Sequence, residues 1–105
     1  MALHVAGQHV TYTFTDPSLS IESLEDKAGI FLILARDTGV YRLLDIGEAA
    51  QVRTGLAEHT SHGRWLRQYH GRLAYSAAYM AGLSALVRQT IVADIRSAND
   101  LITPE

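Results

Sequence analysis

Residues 29–59 read GIFLILARDTGVYRLLDIGEAAQVRTGLAEH, two apolar runs on either side of a glycine turn, followed by a helical pattern. From Ala28 to Ala35 nearly every position is apolar, so periodicity alone does not separate a strand buried on both faces from a short helix. The run is eight residues long, rich in Ile and Phe, and stops at Arg36-Asp37-Thr38-Gly39. Those features predict a strand. Val40 to Ile46 resumes after the glycine, as a β-hairpin requires where the backbone must reach positive φ. Gly47 is expected to close the second strand and Glu48 to open a helix, its carboxylate suited to the positive end of the helix dipole.

In that helix Ala49, Val52 and Leu56 fall at i, i+3 and i+7 and predict a core-facing stripe. At the helical repeat, Glu48, Gly55 and His59 lie within about 40° of one another and would line a groove beside the second strand. A glycine inside a helix costs roughly 1 kcal/mol against alanine, which makes Gly55 conspicuous.

Upstream, Gln8 to Thr15 alternates, with Val10, Tyr12 and Phe14 on one face, and predicts a strand preceding this unit. Asp16-Pro17 is an N-cap followed by proline at the first helical position, so a short helical turn is expected over Ser18 to Asp26. Downstream, Thr60-Ser61-His62-Gly63 has loop composition. Arg64 to His70 reads as a short helix with Trp65, Leu66 and Tyr69 as its apolar side, and Gly71 breaks it. Leu73 to Met80 predicts a third core strand. Leu83 to Ala98 is the clearest helix, with Leu86, Val87, Thr90, Ile91 and Ile95 as its stripe and Asn99-Asp100 as its end. Val92 falls off that stripe, between Arg88 and Arg96.

At 105 residues the chain has room for one domain, taken here as 1–105. The pattern predicts an α+β fold, a small antiparallel three- or four-stranded sheet flanked by helices. With 48% hydrophobic and 19% charged residues the chain is too apolar for disorder. Cysteine is absent, which excludes disulfides, thiolate nucleophiles and Cys-bearing zinc sites. No membrane span or signal-peptide pattern is evident, so the expected location is cytoplasmic. The net charge of −2 argues mildly against a dedicated nucleic-acid binder. Its distribution is uneven: residues 51–72 hold Arg53, Arg64, Arg67 and Arg72 against Glu58 alone, with His59, His62 and His70 interleaved.

Gly29-Ile30-Phe31, the hairpin, Asp45-Ile46-Gly47 and a helix ending in Leu56 and His59 resemble the GIY-YIG nuclease superfamily. The resemblance covers about residues 28–98, with 8–15 as an N-terminal strand extension. It implies a metal-dependent endonuclease scaffold acting on DNA. In that family the two motif tyrosines, an arginine on the helix and a glutamate on a later helix carry chemistry. Here those positions hold Phe31, Asp45, Gly55 and Val92, while His59 keeps its spacing from Gly47. Arg53 does not replace the arginine, because two residues along a helix turn it roughly 160° away.

Asp45, Glu48, Arg53 and His59 are therefore the candidate catalytic groups. Asp45 and Glu48, with His59, are candidate ligands for Mg²⁺ or Mn²⁺, which would stabilise charge developing at a phosphodiester. Each is also explained locally, by a strand end, a helix dipole and a helix terminus. His59, His62 and His70 share a metal cluster's composition but not its spacing, and are expected to be solvated. Arg64, Arg67 and Arg72 are candidate phosphate contacts, with Trp65 and Tyr69 expected in the core. Three functions remain open: a divergent metal-dependent nuclease, an inactive module that binds DNA, and a protein-interaction or homo-oligomerising domain that keeps only the fold.

Overall fold

The computed structural model describes residues 2–38, 40–59 and 62–99. Its centre is β3 (Gly29–Asp37), paired antiparallel with β4 (Val40–Ala49) on one side and β5 (Leu73–Tyr79) on the other. From Gly29 to Ala35 every residue of β3 is buried. The unbroken apolar run follows from this position: successive side chains point to opposite faces, and both faces are covered.

One face carries Phe31, Ile33, Ala35 and Leu44 against α1 (Val52–Ala57) and α2 (His62–Gln68), with Val52, Leu56 and Trp65 filling the layer. The opposite face carries Ile30, Leu32, Leu34 and Ile46 against α3 (Ala85–Ala98), through Val92 and Ile95. A separate hairpin, β1 (Leu3–Ala6) with β2 (Thr11–Phe14), completes this layer through Phe14, with Leu3, Val5 and Tyr12 partly buried. The expected α+β class is therefore observed, as a three-stranded sheet plus a two-stranded one. The foreseen strand over Gln8 to Thr15 is shorter, and its partner β1 was not foreseen because four alternating residues give too weak a periodic signal.

A register shift between Ile33 and Leu34 leaves Leu44 as the extra residue of β4, so that Leu44 faces α1 and α2 while both Leu43 and Ile46 face α3. The outer edge of β5 is covered by the chain leaving β2: Thr15 N–H donates to Ala77 C=O at 2.8 Å, and Ser18 bridges to Tyr75. The outer edge of β4 is the other border of the sheet.

Several expectations are corrected. β4 continues through Gly47 and Glu48 to Ala49, because β3 begins at Gly29 and supplies a pairing partner for each of them. Gly47 is no strand terminator; the Phe31 ring lies where its Cβ would be, so the glycine makes room for an aromatic. The helix that follows has only six residues, Val52–Ala57. In place of a helical turn from Ser18 to Asp26 there is a single 3-10 turn, Ile21–Ser23, whose N-cap Ser20 makes no capping bond. Leu66 is exposed, although Trp65 and Tyr69 are buried as expected.

In α3 the buried residues are Arg88, Val92 and Ile95, whereas Leu86 is 72% exposed and Val87 lies in solvent. Val92 is thus core, although it falls off the apolar stripe read from sequence. Arg88 is turned inward with it and donates there to the Glu48 carboxylate. Ser84 caps this helix by accepting from Val87 N–H at 3.3 Å. The Gly39 turn position, Thr60-Ser61, Asp100 and Pro104 lie outside the described residues. No helix among the described residues is long and apolar enough to cross a membrane.

Candidate functional site

The extra residue in β4 places Asp45 beside the sheet's outer edge, next to the start of α2. Its Oδ2 lies 3.7 Å from His59 Nε2 and accepts from Trp65 Nε1–H at 3.5 Å. Its Oδ1 accepts from the neighbouring Ile46 N–H at 2.8 Å and lies 3.6 Å from the Arg96 guanidinium. Only 15% of the Asp45 side chain and 21% of the His59 side chain meet solvent. Phe31 packs edge-on against the His59 ring with centroids 5.6 Å apart. Two of the residues predicted from sequence, Asp45 and His59, are therefore brought together beside Phe31.

Glu48 faces the other way. Alternation along β4 sends it toward α3, where its Oε2 accepts from Arg88 Nε–H at 2.9 Å and its Oε1 from Gln89 at 3.4 Å. Arg88 also donates to Leu83 C=O at 2.8 Å, so the buried guanidinium is held at both ends. The edge formed by Glu48, Gly55 and His59 on one helix does not exist, because Glu48 belongs to a strand. Among the described residues no three His, Asp or Glu side chains gather as a cation-holding group. Asp45 and Glu48, on opposite faces, do not fit a shared divalent ion as they stand.

Arg53 projects from α1 toward the 3-10 turn and donates to Leu24 C=O at 3.5 Å. Its neighbours there are acidic. Asp26 accepts from Thr54 N–H at 2.9 Å and from the Thr54 hydroxyl at 2.7 Å, which together with Arg53 hold its carboxyl below the usual range. Asp26 thus caps α1 from 28 residues upstream, a role that sequence spacing does not reveal. At Gly55 an added Cβ would lie 2.7 Å from Ala49 Cβ, so the glycine lets α1 pack closely against β4.

His59 and His62 are half-buried, which corrects the expectation of solvated histidines; His70 is exposed. His62 Nε2 lies 2.9 Å from Tyr75 Oη. Burial pushes His62 below its ordinary value of 6.5, and nearby His59 adds to this, while burial pushes the Tyr75 phenol up. A depressed histidine pKa means that the unfolded chain binds more protons than the folded one, so the stability due to neutral His62 is lost as pH falls below about 6.5. Urea unfolding at successively lower pH is expected to show this decline, and His62→Phe to flatten it.

Arg72 is committed locally: it lies 3.6 Å from Asp37, donates to Arg36 C=O at 3.1 Å and sits 5.5 Å over the Tyr69 ring. Arg64 and Arg67 are exposed on α2 and, among the described residues, have no carboxylate within 4.0 Å. Residues that sequence reasoning missed are Arg96, which reaches Asp45 from the far layer, and Arg88, which neutralises Glu48. Their signal was the i, i+8 pairing of two arginines around an apolar Val92, a pattern expected of an inward ridge only if acids wait opposite. Compared with protein-family models, with curated proteins and with solved structures, the chain matches none.

Proposed function

We propose that the chain is a GIY-YIG nuclease-like module that contacts nucleic acid and whose phosphodiesterase chemistry is weak or lost. The observation that carries this reading is the state of the two candidate acids. Asp45 is held by Ile46 N–H, Trp65, His59 and Arg96, and Glu48 by Arg88 and Gln89. A carboxylate so neutralised makes a poor general base and a poor cation ligand, since both tasks need its lone pairs. The hairpin, the sheet order β4-β3-β5 and the His59–Phe31 contact agree with such a scaffold, although a scaffold alone carries no chemistry.

Contact with the phosphate backbone falls to Arg64 and Arg67, whose charges no carboxylate of the described residues cancels. Arg72 flanks them from the end of the sheet. DNA binding measured over a salt series is expected to weaken linearly in log–log form, and Arg64→Ala and Arg67→Ala each to reduce the slope by about one. A cleavage assay with Mg²⁺, Mn²⁺ or EDTA is expected to give little or no product. Metal-dependent cleavage abolished by Asp45→Ala and His59→Ala would overturn the loss of chemistry, and salt-independent or absent binding would overturn the nucleic-acid reading.

A further inference from the structure

Edge strands present unpaired N–H and C=O groups that template pairing with another strand. In this sheet the β5 edge is covered by Thr15 and Ser18, and the β4 edge is not covered by any strand among the described residues. At the middle of β4, however, both outward groups of Ile46 are occupied by side chains. The N–H donates to the Asp45 carboxylate at 2.8 Å, and the C=O accepts from Arg96 Nη2 at 2.9 Å. Asp45 and Arg96 are themselves 3.6 Å apart, so the two side chains form a clasp over one residue of the edge. The Arg96 side chain is 53% exposed, so the clasp is already half in solvent.

Beside this clasp the surface has two complementary parts. A groove of about 530 Å³ runs between β4 and α3, lined by Glu48, Gln89, Val92, Ala93, Arg96 and Ser97. At the other end of β4, Val40 and Tyr41 are 58% and 44% exposed. Two copies of β4 placed antiparallel about a two-fold axis, with Leu43 opposite Ile46, set Tyr41 of each opposite Glu48 of the other. Leu43, Ile46, Tyr41 and Glu48 are all on the α3 side of the sheet by alternation, so each tyrosine lies over its partner's groove. The same pairing replaces both bonds of the clasp by main-chain bonds.

We propose that β4 is a self-pairing edge whose occupant is a second copy of this chain, docked with Tyr41 in the groove beside Glu48, and that the Asp45–Arg96 clasp holds this edge shut in the single chain. The inference does not rest on nucleic-acid binding. Its test is the mass in solution, by light scattering and sedimentation, of wild type, Arg96→Ala and Asp45→Ala/Arg96→Ala. Wild type is expected at the 11.5 kDa of one chain, and the double variant at twice that mass as concentration rises. Adding Tyr41→Lys to the double variant is expected to return it to one chain. Arg96→Ala truncates a side chain that is already 53% exposed and serves as the variant expected to fold, with circular dichroism as the check and partial dimerisation as its expected result. Folded variants that stay single, a wild type already dimeric, or a dimer indifferent to Tyr41→Lys would each overturn the proposal.

Discussion

Trp65→Ala is expected to lower stability by about 3–5 kcal/mol, measured as a loss in the urea midpoint at unchanged slope. Trp65 is 0% exposed and shares its layer with Leu44, Val52, Leu56 and Tyr69. The indole is the bulk of α2's inward face, and Leu66 beside it points to solvent, so no neighbour on the same helix can fill the cavity. A chain of this size has a total stability of about 5–15 kcal/mol, and the variant would lose a large part of it. The polar end matters as well. Trp65 Nε1 reaches toward Asp45 Oδ2, so the same substitution releases part of the Asp45 cluster. Trp65→Phe, which keeps most of the volume, is expected to cost much less and to separate packing from the lost N–H.

The second large effect concerns Glu48. Glu48→Ala leaves the Arg88 guanidinium buried without its carboxylate, and breaking a buried pair from one side costs about 3–5 kcal/mol. The two side chains are 18% and 7% exposed, and Gln89 gives the arginine no acceptor in return. Replacing both together, Glu48→Leu with Arg88→Met, removes the uncompensated charge and is expected to recover most of that loss. Chemical denaturation of Glu48→Leu, Arg88→Met and the pair completes a double-mutant cycle. A Glu48 that served phosphodiester chemistry would behave otherwise, with Glu48→Gln folding normally and losing activity alone.

What was readable from sequence follows burial and pairing. The strand over Ala28 to Ala35 was legible because a centre strand covered on both faces must be apolar throughout, and no local alternative competes with it. The third strand was legible for a similar reason, since it borders the same centre. The end of the second strand was not. Gly47 and Glu48 carry the local signals of a stop and a helix start, and those signals lose to a pairing partner, Gly29, that lies 20 residues upstream of Ala49. On α3 the stripe of Leu86 and Val87 was read inward on hydrophobicity alone. The helix instead turns Arg88 and Val92 inward, because one hydrogen-bonded ion pair fixes its rotation and exposed leucines cost little at a surface.

The candidate site was legible only as a list of residues. Asp45 and His59 do meet, because both border the junction of β4 with the helices. The helical repeat that sets Glu48 beside Gly55 and His59 is void, because Glu48 lies in a strand. The partners that neutralise the acids, Arg88 and Arg96, sit 40 and 51 residues away along the chain, beyond what spacing within one element can encode.

Those same two arginines tie the border strand to a helix in the opposite layer at two points, Glu48 to Arg88 and Asp45 to Arg96. A strand at the margin of a sheet ordinarily frays by itself, its amides trading protons with solvent long before the centre opens. Here the buried Arg88–Glu48 link makes fraying of β4 around Glu48 cost a contact with α3 as well. The amide protons of that end of β4 are therefore expected to exchange more nearly in step with those of α3, and the exposed end from Val40 to Arg42 to exchange faster.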